Sequence, residues 1–357
     1  MNVISKMRFL SFGAGAIGTY IGGSLALAGN DIVFIEQPTV VENLQKTGLE
    51  LDLQLDKRRS GESIFNIMPP AVSFESSLEA ALSHGPFDAA LFALKSFDTV
   101  SALDGMKNYL EQIPPVVCLQ NGVENEPAIS AVLGKDRVIF GTVTSAIGRK
   151  AAGSIVLEKR RGVGIASGHP LSERLVEVMD KAMLNSRLFP SAADMKWSKM
   201  LTNLIANASS AILDMSAAEI FSNPGLFKME MKMLQETLTV MAAQGIKVVD
   251  LPGTPVRALA WGTRLPAFLS RPLMAKAIGG GRGGKMPSFH IDLHAGRGKS
   301  EVDYLNGAVV RAGLTLGVST PINRFLTDTL LALTSGELSL DTYARQPEKL
   351  LAQMTTR

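Results

Sequence analysis

The sequence predicts an α/β domain built on a doubly wound, largely parallel sheet, followed by an all-α domain. Three observations predict it. Apolar strand-like runs alternate with helix-length segments over the first 190 residues, a complete G-x-G-x-x-G lies between the first such run and the first such segment, and beyond Pro190 the alternation yields to helical periodicity. The domain boundary is therefore placed there, giving 1–190 and 191–357.

The elements follow in order. Arg8 to Phe12 is a short apolar run, Gly13 to Gly18 a glycine turn, Ala16 to Ala28 a helix-length segment and Asp31 to Ile35 a second apolar run, which together make a βαβ unit. Asp88 to Leu94, Pro115 to Leu119 and Arg137 to Thr144 read as further strands, with a helix over Phe97 to Leu110. Ser154 to Ala166 reads as a β-hairpin, Leu171 to Met183 as a helix, and a last strand is expected near Leu188. In the second domain Asn223-Pro224 is a cap with proline at the first helical position, and that helix should stop at Gly245. Ser300 with Asp303 suggests a cap opening a helix with the stripe Val302, Leu305, Val309 and Ala312. Met229, Met231 and Met233 read as core filler.

Composition bounds the function. A chain of 357 residues makes two domains or three, and 46% hydrophobic against 19% charged residues excludes a largely disordered or fibrous protein. A net charge of +3 supplies no global field for nucleic acid or an anionic membrane, so neither is an expected partner. Cys118 is the only cysteine, which rules out an internal disulfide or a thiolate zinc cage and points to a reducing cytoplasm. The uncharged run from Phe9 to Asn30 has the outline of a signal peptide. Its glycines, and the strand-like Ile32 to Ile35 directly after it, favour a buried strand entering a glycine turn instead.

Gly13-Ala14-Gly15-Ala16-Ile17-Gly18 carries the first chemistry. Between a strand and a helix these glycines allow a tight turn and close backbone approach, while the helix N-terminus offers N–H groups to a pyrophosphate, as in a Rossmann-type dinucleotide site. Glu36 ends the second strand, near the spacing at which an acidic side chain bonds the adenosine ribose. A carboxylate there repels a 2′-phosphate and favours NADH, unless it is simply an exposed strand-end acid. Lys95 and Asn121-Gly122 each follow a strand and so stand at the carboxyl edge, where ligands bind; ordinary turn chemistry is the alternative.

Lys199, Asn203 and Asn207 are spaced i, i+4, i+8, which stacks them on one helical face, while Met200, Leu201, Leu204, Ile205 and Ala208 cover the others. A polar stripe on a buried helix needs partners, either a ligand or another helix. The four histidines, His84, His169, His290 and His294, occupy no obvious strand-end position for an acid/base pair, so a lysine is the expected proton donor. His290 and His294 stand i, i+4 around Asp292, but the glutamate of H-E-x-x-H is missing and no third ligand is evident, so no metal is expected. Leu251 to Lys299 carries eight Lys/Arg against one Asp; it is either a solvated loop with short helices or a lid for an anionic ligand. Its Gly283-Gly284-Lys285 is not a P-loop, because Met286 stands where Ser or Thr should bind magnesium.

Taken together, the glycine motif, Ala93-Leu94-Lys95-Ser96, Gln120-Asn121-Gly122-Val123, Trp197-Ser198-Lys199 with Asn203 and Asn207, Pro287-Ser288 and Ser300-Glu301-Val302-Asp303-Tyr304-Leu305-Asn306-Gly307 resemble the ketopantoate reductase (2-dehydropantoate 2-reductase) family, in the family's order from residue 8 to about 335. The resemblance implies a Rossmann domain joined to a helical domain like that of 6-phosphogluconate dehydrogenases, and NADPH-dependent reduction of ketopantoate to pantoate. It implies Lys199 as proton donor, Asn203, Asn207 and Ser288 as substrate-binding groups, and Asn121 as a contact to cofactor and substrate. Lys95 and Glu301 would contact cofactor, with Glu301 also assisting catalysis. Three features depart from the family: Glu36-Gln37 stands where NADPH-using members often place an arginine, a substrate-contacting asparagine is replaced around Ala217, and the stretch from Leu251 to Arg282 is longer than in compact members, which would reshape the pocket for another 2-oxo acid. The expected partner is a small 2-oxo acid, with a homodimer left open. Reduction of another 2-oxo acid and a non-catalytic dinucleotide sensor are the alternatives.

Overall fold

The computed structural model describes residues 6–59, 63–272, 274 and 286–355. The chain divides into two compact units. One contains the chain up to Gln120, Glu124–Lys196 and Leu251–Thr254; the other contains Asn121–Val123, Trp197–Asp250 and the chain from Pro255 onward.

In the first unit the order is β1 (Arg8–Phe12), α1 (Ala16–Leu27), β2 (Asp31–Ile35), α2 (Pro38–Thr47), β3 (Leu49–Asp52), β4 (Ile64–Ile67), β5 (Ser73–Glu75), α3 (Leu78–Leu82), β6 (Ala89–Phe92), α4 (Thr99–Met106), β7 (Val116–Cys118), α5 (Asn125–Leu133), β8 (Val138–Val143), β9 (Ala146–Ala151), β10 (Ser154–Lys159), β11 (Val163–Ala166), α6 (Ser172–Lys181) and β12 (Ser186–Phe189). Eight strands form one sheet in the order β12-β11-β8-β7-β6-β1-β2-β5. Only the β8–β11 pair is antiparallel. The chain builds outward from β1 to β2 on one side and then from β6 to β8 on the other, so the order reverses between β1 and β6. In a sheet of this kind, ligands bind outside the carboxyl ends of the strands at that reversal.

Both faces of the sheet are covered, which is why its strands read as near-continuous apolar runs. Alternate residues feed two cores: Phe9, Phe34, Leu91, Val117 and Ile139 face one, while Leu10, Val33, Ala90, Phe92, Val116 and Cys118 face the other. Helix α1 lies in the first core with Tyr20, Ile21 and Leu25. It also packs on a second sheet, of order β4-β3-β10-β9. A Cβ on Gly23 would stand 2.8 Å from Leu51 Cδ1, so the small residue permits that approach. The expected hairpin over Ser154 to Ala166 does not form. Instead β10 pairs antiparallel with β9 and parallel with β3 in the small sheet, and β11 joins the large one. Arg160 to Gly162 is a crossing between sheets, for which local alternation carries no signal.

The second unit is helical. Helix α7 (Ala192–Leu204), which begins in the first unit, is followed by α8 (Asn207–Leu213), α9 (Ala217–Ser222) and α10 (Pro224–Ala243), then by Val256–Gly262, Ser288–His294, Ala308–Leu316, Pro321–Ser335 and Pro347–Thr355. Asn223 caps α10 as its sequence predicts, its Oδ1 accepting from the Gly225 and Leu226 amides, and the chain turns off at Gly245 with φ +70°. Met229, Met231 and Met233 are buried. Ser300 Oγ accepts from the Val302 amide, as a capping side chain does, while Asp303 pairs with Arg311; Asp303–Gly307 is a π-helical turn, and Ala308–Leu316 continues from it. Val302, Leu305 and Val309 are buried, with Ala312 partly so. Within Leu251 to Lys299 the described residues form short helices; Gly283-Gly284-Lys285 lies outside the described residues. Among the described residues, no helix is long and apolar enough to cross a membrane.

Candidate active site

In the first unit the glycine turn leaves β1 and enters α1. Gly13 has φ +94°, and a Cβ on Gly18 would lie 2.0 Å from the Gly13 carbonyl oxygen, so the turn closes tightly only without that carbon. A Cβ on Gly15 would meet nothing within 4 Å. Gly15 is the N-cap of α1 and supplies no side-chain cap, so the amides of the first helical turn, from Ala16 on, are not capped by its side chain. This arrangement fits an anionic pyrophosphate. Glu36, at the end of β2, turns onto the loop and accepts a 2.6 Å hydrogen bond from the Ala14 amide. Its carboxylate is thereby held beside the glycines, where a ribose-recognising acid belongs.

Lys95 follows β6 on the other side of the reversal. The backbone around it is held from both sides, because Gln120 donates to the Leu94 carbonyl at 3.1 Å and Asn125 donates to Ser96 Oγ at 3.1 Å. Gln120 also bonds Thr99 Oγ1, which donates to Asn125 Oδ1. Beneath this network is a pair that the sequence did not single out. The Lys196 ammonium lies 2.6 Å from Glu126 and donates to the carbonyls of Gln120 at 2.7 Å and Gly141 at 3.2 Å. Three acceptors match its three N–H donors. Lys196 stands in a motif read for Lys199, and Glu126 lies in an undistinguished loop-to-helix stretch, so only the fold reveals their pairing.

The second unit gathers the polar residues of the helical half. Lys199 is half-buried on α7 between buried Ser198 and Met200, and Asn203 follows one turn later on the same face. Asn203 Nδ2 donates to Asn121 Oδ1 at 3.0 Å. Asn207 does not continue the stripe on the same helix. Ala206 adopts a left-handed conformation, φ +50°, which ends α7 and starts α8 with Asn207. The break is imposed from elsewhere in the fold: the buried Glu230 of α10 accepts from the Ala206 amide at 2.8 Å and from Ser209 Oγ at 2.6 Å. Asn207 nevertheless stays in the cluster, donating to the Asn203 carbonyl at 3.1 Å and accepting from the Phe289 amide at 3.1 Å, with Nδ2 3.5 Å from Ser288 Oγ. Glu301 is buried just before the π-helical turn, its carbonyl accepting from the Tyr304 and Leu305 amides.

Asn121, Asn203, Asn207 and Ser288 are thus brought together, with Lys199 one turn from Asn203. Such a set can bind an oxygen-rich small molecule and deliver a proton to it. Ala217 is buried in the first turn of α9, whose N-cap Ser216 forms a capping box with Glu219.

Comparison with known proteins gives a consistent picture. The family described as "Ketopantoate reductase PanE/ApbA" matches residues 9–168, and its C-terminal counterpart matches 192–334. A 2-dehydropantoate 2-reductase of Archaeoglobus fulgidus is 26% identical over 336 residues, covering 92% of this chain and 98% of the relative. A crystal structure of a PanE/ApbA family ketopantoate reductase from Ralstonia eutropha JMP134 superposes with a TM-score of 0.75 at 27% identity, covering 93% of this chain and 99% of that one. A D-mandelate dehydrogenase solved with NADH and anilino(oxo)acetate shares the fold, with a TM-score of 0.74, 21% identity and coverage of 94% and 100%.

Proposed function

The chain belongs to the ketopantoate reductase PanE/ApbA family, an NAD(P)-dependent oxidoreductase family, and from that membership we propose that it reduces the 2-oxo group of ketopantoate to the alcohol of pantoate. The observation that carries the reading is the clustering of Asn121, Asn203, Asn207 and Ser288, with Lys199 one helical turn away on the face of Asn203.

A nicotinamide dinucleotide, when bound, supplies the hydride. The residues of the glycine turn, Gly13 to Gly18, would hold its pyrophosphate, and Glu36 would hold the ribose hydroxyls. Lys95 and Asn121 are assigned to the cofactor as well. Negative charge develops on the substrate's ketone oxygen as its carbon is reduced. The Lys199 ammonium stabilises that charge and gives up its proton, leaving a neutral amine that is reprotonated from solvent. Asn203, Asn207 and Ser288 orient the substrate's carboxylate and hydroxyl groups, and Glu301 assists Lys199 while also contacting the cofactor. Hydrogen bonds among the amides fix their orientation before substrate arrives, which limits the ordering that binding must impose.

A second reading, reduction of a different 2-oxo acid, rests on the resemblance, which implies a substrate-contacting asparagine that is replaced around Ala217. One assay separates the two. Oxidation of NADPH and of NADH is followed by absorbance with ketopantoate and with a panel of branched, hydroxylated and aryl 2-oxo acids. Turnover of ketopantoate above the rest of the panel supports the first reading. Turnover only of other acids replaces it with the second, and no turnover with either dinucleotide removes both in favour of a non-catalytic sensor.

A further inference from the structure

Outside the proposed active site, the helical unit brings three metal-ligating side chains to one point. His290 and His294 are i, i+4 on the Ser288–His294 helix, and their rings stack with centroids 4.1 Å apart. Facing them is Asp214, the C-cap of α8, whose Oδ1 lies 2.7 Å from His290 Nε2. One ligand atom from each of the three lies within 4.8 Å of the others. The sequence shows the two histidines but not the third group, because Asp214 is 76 positions away from His290. Asp292, which the sequence places between the histidines, is turned off to Arg297 at 3.1 Å. Residues i and i+2 do not share a helical face.

From these contacts we propose that Asp214, His290 and His294 form a binding site for one divalent transition-metal ion of the zinc class. Two imidazole nitrogens and a carboxylate oxygen are the donor set such ions prefer, whereas magnesium and calcium favour oxygen ligands alone. His290 is mostly buried and His294 exposed, which leaves the outer coordination position to water.

The setting of Asp214 is compatible with a bound cation. Asp214 has φ +48°, a left-handed conformation that favours glycine or asparagine, and it places a carboxylate at the C-terminus of a helix, where the backbone dipole disfavours negative charge. A bound cation would offset both penalties. It would also tie α8 to the Ser288–His294 helix, the two helices that begin with Asn207 and Ser288. The metal is thus a clamp on the elements that carry the proposed substrate residues, and it takes no part in the reaction.

The test uses tag-free, chelator-treated protein titrated with Zn²⁺ in a calorimeter, with Co²⁺ as an absorbing substitute and Mg²⁺ as the control. The expected result is one equivalent of Zn²⁺ bound, a raised unfolding temperature, and a Co²⁺ spectrum showing nitrogen and oxygen coordination. Two variants keep the fold. His294→Ala changes an exposed position, and Asp214→Gly relieves the backbone conformation while removing a ligand. Each should weaken Zn²⁺ binding by more than the about 10–100-fold typical of losing an outer-shell partner. Binding unchanged in both variants, no stoichiometric binding in the wild type, or Mg²⁺ bound as tightly as Zn²⁺ would each overturn the assignment, leaving an ordinary His–Asp hydrogen bond.

Discussion

Lys196 Nζ lies 2.6 Å from Glu126 Oε1, and both side chains are almost entirely removed from solvent, at 4% and 0% exposure. The same ammonium bonds the carbonyl of Gln120, the residue immediately before Asn121. A buried ion pair of this kind contributes little to net stability against an apolar replacement, but removing one partner strands the other charge. Through the Gln120 carbonyl the pair holds the chain where it leaves β7.

Lys196→Met is accordingly expected to destabilise the protein by about 3–5 kcal/mol, because Glu126 is left buried without its counter-charge. The double variant Lys196→Met/Glu126→Leu should recover most of that loss. Urea unfolding of the three proteins measures it. A double variant no more stable than the single one would show that the carbonyl contacts, rather than the ion pair, are what Lys196 supplies.

How far the sequence reveals this architecture depends on how local each cause is. The β1–α1–β2 unit is legible because its determinants, the glycines and flanking apolar runs, lie within 28 consecutive residues, Arg8 to Ile35. The small sheet is not, since β3 and β10 pair across about a hundred residues, with Ser154 opposite Glu50. The break at Ala206 is hidden for the same reason. Leu201 to Leu213 has unbroken helical periodicity with no glycine or proline, and the group that diverts the chain, Glu230, comes from α10. Lys199, Asn203 and Asn207 can nevertheless be picked out, because polar residues among apolar ones stand out in a mostly buried helical stretch, whereas Ser288 is named only by the family resemblance.

Glu36 should govern the choice of dinucleotide. Its carboxylate, held on the Ala14 amide, opposes a 2′-phosphate, so Glu36→Arg is expected to raise the ratio of kcat/KM for NADPH over NADH by about tenfold or more. That is the scale of one hydrogen bond to a charged group, about 1.5–3 kcal/mol. Glu36→Gln, which keeps an acceptor for Ala14 but removes the charge, should move the ratio in the same direction by less. Steady-state kinetics with both dinucleotides decide it, and an unchanged ratio in the arginine variant would take Glu36 out of cofactor selection.

Cys118 should be chemically silent in the folded protein. It is fully buried in β7, where burial pushes its thiol well above the usual range and the neighbouring Glu126 carboxylate pushes the same way. The thiolate is the reactive form, so at pH 7–8 alkylating reagents should label the chain only as fast as it unfolds. Mass spectrometry of iodoacetamide-treated protein, native and in denaturant, gives the comparison. Rapid stoichiometric labelling of the native form would contradict the enclosure of β7.

The proton-donor role assigned to Lys199 has a separate signature from substrate binding. Lys199→Ala should lower kcat by about 10²–10⁴-fold, the range for a positioned general acid. Asn203→Ala and Ser288→Ala should instead act mainly on KM, since a group that binds ground state and transition state alike changes affinity without changing the chemical step. Thermal unfolding of each variant, measured alongside the kinetics, separates loss of chemistry from loss of fold at this half-buried position on α7. A Lys199→Ala enzyme with normal kcat and raised KM would make the lysine a carboxylate anchor, and the proton would then have to come from another group in the cluster or from water.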